Sequence, residues 1–328
     1  SHFGARALSY STLNAAPIFH PQMAGLSGVV VLDGGMGHLL RQKGVEIKGE
    51  IGTLQRFLGV AMANIDLPQL VREAHEDYLR AGANVVTTNS YACVPRVVGD
   101  AERVLTTIRA AGTIAREAAD AHKAMVAGCL PPLNASYRAD KVADDDELQR
   151  EYAVIAETIA PYSDVLLCET MSCAREAAAA VRAAKATGKP VWVSWALSED
   201  MSGNLISGES IVEAVEALHL EPNGPVKACM FNCSSPEAIS LALPRLRAAV
   251  PLGVATGGYA NGFHSVKAPG TSSEYREDFT PEDYAELCAG WAADGSTILG
   301  GCCGIFPAHI AALAKRLNST SGTAEQPS

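Results

Sequence analysis

The sequence predicts a single-domain α/β protein, a (βα)8 barrel of the TIM type. About eight short apolar runs recur along the 328 residues. A helical pattern separates each run from the next, the arrangement of parallel strands joined by crossover helices. Polar residues and cysteines collect at the carboxyl ends of these runs, where a closed parallel barrel gathers its loops. A doubly wound open sheet is the rival, but no G-x-G-x-x-G follows the first strand.

The elements follow in order. Val29-Val30-Val31-Leu32 is a β-branched strand leading into Asp33-Gly34-Gly35-Met36-Gly37. Residues 66–81 carry apolar positions at helical spacing, with Pro68 in the first turn. Residues 84–89 read as the second strand, 99–122 as a long helix and 124–129 as the third strand, closed by Pro131-Pro132. Asp144 to Glu147 place acids where a helix dipole favours them, and that helix runs to about Tyr162. Asp164 to Cys168 form a strand ending at Glu169-Thr170. The alanine-rich stretch 173–187 is a helix, and 191–195 a strand. Residues 208–219 are helical, 226–231 extended, 235–248 helical, and Leu252 to Ala255 a short strand. Pro281 to Ala293 is a helix, Ser296 to Leu299 the last strand and Pro307 to Leu317 the last helix. The predicted barrel spans 28–317, with an N-terminal extension over 1–27 and a disordered tail over 318–328. Two inserts, 38–65 and 256–280, fall on its carboxyl face.

Composition narrows the function. Hydrophobic residues make up 48% and charged residues 19%, as in a globular protein with a large core. A net charge of -10 argues against nucleic acid or an acidic membrane surface as partner. No apolar run is long enough to cross a bilayer. Nine cysteines, an odd number in a long chain, do not describe a disulfide scaffold and point to a reducing compartment. The cytoplasm is the expected location. Residues 1–27, with Arg6, several serines and no acid, leave organellar import open.

The chemistry centres on Gly300-Gly301-Cys302-Cys303-Gly304. Two adjacent thiols reach one ion only where the backbone turns sharply, and the glycines permit that turn. Cys233 ends another strand, and barrel closure would bring it to the same rim. The residues read as a Zn2+ site on Cys233, Cys302 and Cys303 with a vacant fourth position. The competing reading makes each cysteine a small buried apolar residue, and it is preferred for Cys93, Cys129, Cys168, Cys173, Cys229 and Cys288. Asp33 is either a site residue or a turn former. Glu169 is either a site residue, a solvated carboxylate or a helix N-terminal acid. His38, His75 and His264 are candidate ligands or bases, with a bland role favoured. No G-x-S-x-G or G-K-[ST] motif is present.

These residues resemble the homocysteine S-methyltransferase family. The resemblance is carried by Asp33-Gly34-Gly35, by Ala81-Gly82-Ala83-Asn84 leading to Thr88-Asn89-Ser90-Tyr91, by Glu169-Thr170, by Phe231-Asn232-Cys233-Ser234 and by the double-cysteine motif. It covers about Val29 to Leu317. It implies a (βα)8 barrel and a zinc-dependent enzyme of methionine biosynthesis, with the metal on Cys233, Cys302 and Cys303. It further implies that Asp33 and Glu169 hold the amino group of homocysteine, and that Thr88 neighbours the carboxylate or thiol. The betaine-using branch resembles this chain less well, since its pattern follows the glutamate with tyrosine where this chain has Thr170. With Tyr259-x-Asn261-x-x-x-Ser265, Thr170 makes the chain more similar to members using S-methylmethionine or S-adenosylmethionine. No corrinoid- or folate-binding module is expected after the barrel.

The implied partners are therefore small molecules, homocysteine and a methyl donor, acting on a monomer or small homo-oligomer. Other donors (betaine, dimethylsulfoniopropionate) and other acceptors (selenocysteine or another thiol) stay open. A different class of reading makes the zinc structural, closed by His264 or Cys93, in a barrel that binds a partner.

Overall fold

A computed structural model describes residues 28–46, 54–262, 276 and 279–321. Eight parallel strands form one sheet in the order β1-β8-β7-β6-β5-β4-β3-β2. They are β1 (Val30–Val31), β2 (Val85–Thr87), β3 (Met125–Leu130), β4 (Val165–Met171), β5 (Val191–Trp195), β6 (Val226–Asn232), β7 (Ala255–Ala260) and β8 (Ile298–Gly301). The seam between β1 and β2 is joined by a parallel bridge from Leu32 to Val85 and by the Asn84 N–H donating to the Val31 carbonyl at 2.7 Å. This is the expected (βα)8 barrel.

Eleven α-helices lie among the described residues: α1 (Met36–Gln42), α2 (Leu54–Asp66), α3 (Pro68–Arg80), α4 (Pro95–Val98), α5 (Ala101–His122), α6 (Asp145–Ile159), α7 (Ala174–Ala186), α8 (Ile211–Glu216), α9 (Pro236–Ala249), α10 (Pro281–Ala293) and α11 (Pro307–Ser321). No described helix is long and apolar enough to cross a membrane. Side-chain caps fix several starts. Asp100 and Asp144 accept from N–H groups three residues on, and Ser210/Glu213 and Thr280/Asp283 form reciprocal capping boxes.

The two-residue period of the strands sorts the core into two layers. Val30, Val165, Leu167, Trp192, Ala228, Met230 and Ile298 fill the barrel interior, whereas Leu166, Cys168, Val193, Cys229 and Leu299 pack outward under the helices. The same alternation carries Glu169 inward above Leu167, and Asn232 inward above Met230.

Several boundaries differ from expectation. The seventh strand is not 252–255: Leu252 is 95% exposed and β7 runs Ala255–Ala260. Gly257 and Gly258 had read as loop residues. They are strand residues whose missing side chains admit close neighbours, the Ile298 carbonyl against Gly257 and the Ile239 side chain against Gly258. The second insert accordingly begins after Ala260, and its residues 263–275 lie outside the described ones. The first insert carries α1 and α2. α11 continues to Ser321, four residues past the expected end of the barrel at Leu317.

Candidate metal and amino-acid site

The carboxyl ends of the strands surround a cavity of about 640 Å³. Asp33, Thr88, Glu169, Cys233, Cys302 and Cys303 all line it. The Asp33 and cysteine segments meet directly, because β1 and β8 are neighbours. Gly301 N–H donates to the Asp33 carbonyl at 2.8 Å, and Gly35 N–H to the Ile305 carbonyl at 3.0 Å. A side chain on Gly35 would crowd the Cys302 carbonyl at 2.8 Å and the Cys303 Cα at 3.2 Å, so only glycine lets these two loops approach.

The three sulfur atoms converge. Cys233, Cys302 and Cys303 offer Sγ atoms within 4.8 Å of one another, and no other cluster of this kind occurs among the described residues. Cys233 turns the chain out of β6 at φ 48°, in the left-handed region. Its Sγ touches that of Cys302 at disulfide range, with Cα atoms 5.6 Å apart. The Cys302 N–H donates to the Ala260 carbonyl at 2.9 Å, which fixes the β8 loop against β7. Burial, and next the charge of Glu169, push the Cys303 thiol up to about 11. A soft cation replacing that proton suits the donor set. Asn261 adds a buried Oδ1 that has no hydrogen-bond partner and lines the same cavity. The residues present therefore fit a metal ion.

Two carboxyls stand beside the sulfurs. Asp33 is 5% exposed and accepts the Thr87 N–H on Oδ2 at 2.8 Å. Burial raises it from 3.8 to about 8, the Thr87 N–H opposes that shift, and the charge of Glu169 adds to it. Glu169 is likewise raised by burial, against hydrogen bonds from Cys129 and Tyr259. The Cys129 thiol donates to Glu169 Oε2 at 3.3 Å. Among the described residues no cationic side chain hydrogen-bonds either acid, so both sit in low dielectric in an environment that a ligand's ammonium would complete.

Thr88 lies at the cavity wall but is 3% exposed. Its hydroxyl accepts the Cys129 N–H at 3.0 Å and shares a hydrogen bond with Ser90 Oγ at 2.8 Å. These bonds tie the ends of β2 and β3 together. Cys93 is buried elsewhere, within 3.7 Å of Asn64 Nδ2, and does not join the sulfur cluster. His38 lines the cavity, and burial lowers it to about 4, so it is neutral. His75 is buried inside α3, where desolvation also lowers it to about 4. His264 and Ser265 lie outside the described residues.

Sequence reasoning missed the far wall. Arg56 and Phe57 from α2, Tyr137 from the loop after β3, and Glu199 and Asp200 after β5 all face the cavity. Tyr91 sits 6.3 Å from Phe57, ring centre to ring centre, and shares a 2.6 Å hydrogen bond with Ser136. Arg56 and Phe57 lie on the helix α2, and Tyr137, Glu199 and Asp200 in loops, none of them in a motif that flags it. Tyr91 stands in a motif stretch and Arg56 and Phe57 in the insert 38–65, whereas Tyr137, Glu199 and Asp200 lie in neither.

The fold is a (βα)8 barrel with three converging thiols and two carboxyls at its carboxyl face, and its family match makes it a methyltransferase. The chain belongs to the homocysteine S-methyltransferase family, whose profile matches residues 30–317. It is 28% identical over 310 residues to the homocysteine S-methyltransferase of Escherichia coli, covering 88% of this chain and 95% of that protein. It is 30% identical over 310 residues to the methionine synthase of Mycobacterium tuberculosis, covering 86% of this chain but only 24% of that longer protein. Among solved structures, the metallated form of the Escherichia coli homocysteine methyltransferase superposes with a TM-score of 0.72 at 26% identity. Its oxidized form gives 0.74 at 27%, and in both cases 88% of this chain and 96% of the other are covered.

Proposed function

We propose that this protein transfers a methyl group from a sulfonium donor, S-methylmethionine or S-adenosylmethionine, to the thiol of homocysteine, giving methionine, with Zn2+ held by Cys233, Cys302 and Cys303. The barrel over 28–317 is the homocysteine-binding unit. The observation that carries the reading is the meeting of three thiols from two distant segments within 4.8 Å, in a cavity that also holds two buried carboxyls.

Bound zinc would let the acceptor sulfur exist as a thiolate at neutral pH, where a free thiol keeps its proton. The chain's own residues supply the rest. Asp33 and Glu169 take the ammonium of homocysteine, which offsets the cost of burying both acids. Thr88 holds the β2 end against β3 beside them. The barrel interior below the site is packed with Leu167, Trp192 and Met230, so water reaches the acceptor only from the open side. On that side Phe57, Tyr91 and Tyr137 present aromatic faces, and Glu199 and Asp200 negative charge, suited to a cationic donor. The acceptor sulfur's lone pair forms the new S–C bond as the donor's S–CH3 bond breaks. That electron pair returns to the donor sulfur, whose positive charge disappears.

The test pairs metal content with transfer. Purified wild type is expected to hold one zinc, and Cys302→Ala and Cys303→Ala to lose both zinc and transfer. Variants that keep full zinc and full activity would refute the assignment. A donor panel with homocysteine as acceptor (S-methylmethionine, S-adenosylmethionine, betaine and dimethylsulfoniopropionate) is expected to show turnover with the first two.

A further inference from the structure

Asn232 connects the two halves of this site. It is the last residue of β6, fully buried and adjacent to Cys233. Its Oδ1 accepts the Thr170 N–H at 3.1 Å and the Ser194 hydroxyl at 2.7 Å. Its Nδ2 donates to Thr170 Oγ1 at 2.8 Å and points one further N–H toward Cys302 Sγ at 3.9 Å. One amide therefore touches β4, β5 and the β8 loop, and every one of its polar positions is used.

The partner it grips is unusual. Thr170 follows Glu169 and has φ 59°, in the left-handed region, although it is β-branched and completely buried. That conformation is disfavoured for such a residue and persists only where neighbours hold it. Asn232 holds it twice, through the backbone N–H and the hydroxyl. The break in β4 register at Thr170 sits next to the carboxyl that faces the cavity, so the direction of Glu169 depends on it. An N–H aimed at a thiolate sulfur also draws charge from that sulfur.

We propose that Asn232 is a positioning residue that couples the amine-binding carboxyl of Glu169 to the metal-binding thiol of Cys302, by locking Thr170 on one side and donating N–H···S on the other. The inference rests on the function proposed above. It assigns to Asn232 two effects in one protein: the affinity for an α-amino acid and the electronic character of the metal–sulfur bonds.

Both effects are readable without turnover. Methionine binding to metal-free protein reports the carboxyl, and the thiolate-to-metal charge-transfer band of the cobalt(II)-substituted protein reports the sulfur. Asn232→Asp keeps the shape and the acceptor oxygen but replaces the donor. It is expected to weaken methionine binding at least tenfold and to shift the cobalt band, with the circular dichroism of the barrel retained. Thr170→Val, which removes the hydroxyl that accepts from Asn232 and also bonds Tyr91, is expected to weaken methionine binding at least threefold, and Thr170→Ser to restore it. If Asn232→Asp does not fold, the Thr170 pair decides the matter. A folded Asn232→Asp that changes neither readout, or only one, overturns the coupling. Where Asn232→Asp is unfolded, a Thr170→Val protein with unchanged affinity does the same. A wild type that binds neither methionine nor cobalt would sink the functional reading and this inference together; failure in the variants alone sinks only the inference.

Discussion

Asp33 should make amino-acid binding a proton-releasing event. In the empty cavity its carboxyl is held up to about 8 by burial. At pH 7 about nine in ten molecules therefore carry that proton. An ammonium seated against Asp33 requires the carboxylate, so binding must expel the proton. Methionine is the clean probe, because it carries the ammonium but no free thiol. Asp33 alone then contributes about 0.9 proton per methionine bound at pH 7 and about half a proton at pH 8. The sign follows: the bound state favours the lower protonation, so affinity rises about tenfold from pH 6 to pH 7 and levels above pH 8. Glu169, raised for the same reason, adds to the release. Titration calorimetry in two buffers of different ionisation enthalpy counts the protons. Asp33→Asn, which can still accept the Thr87 N–H, is expected to remove the Asp33 share. A binding enthalpy independent of buffer at pH 7, or an undiminished count in Asp33→Asn, would refute the reasoning.

The same shift acts on the ligand-free fold. The folded pKa of Asp33 lies above its unfolded value, so its contribution is most favourable at low pH and is lost as pH rises toward about 8. Between pH 5 and pH 8 this amounts to up to about 4 kcal/mol, and melts of wild type and Asp33→Asn should diverge accordingly. Glu169→Gln is expected to raise the KM for homocysteine roughly ten- to a hundredfold, the loss of a hydrogen bond to a charged group, measured in steady-state kinetics. Chelation should abolish transfer, and added zinc should restore it, while the far-ultraviolet dichroism stays constant because the barrel core lies below the thiols. Gly257→Ala is expected to destabilise the protein by at least about 2 kcal/mol in urea unfolding, since its new β-carbon meets the Ile298 carbonyl.

The barrel was legible because strands buried on both faces form short continuous apolar runs with helices between them. Val191 to Trp195 is such a run and was placed to the residue. β7 was misplaced because Ala255-Thr256-Gly257-Gly258 carries no β-branched block, and its strand character comes from tertiary contact with β6 and β8. The cysteines and acids were legible because each lies at the carboxyl end of a strand, Glu169 within the last residues of β4 and the others just beyond β1, β6 and β8. Their convergence needed only closure of the sheet. The far wall was not, since Arg56 reaches the cavity from the helix α2 of an insert and Tyr137 from a turn, neither within a motif. Asn232 was visible as a letter in a motif, but its four contacts depend on three other strands.

The pairing of β1 with β8 also bears on how the molecule is made. Asp33, the acid proposed to receive the amine, emerges from the ribosome among the earliest described residues, and two of the sulfurs among the latest. A nascent chain short of Ile298 lacks the strand that pairs with β1, and on the proposed function it would hold neither the full set of thiols nor the completed amino-acid site. On that reading the site is completed only with the final strand, because β8 carries two of its three thiols to the first strand.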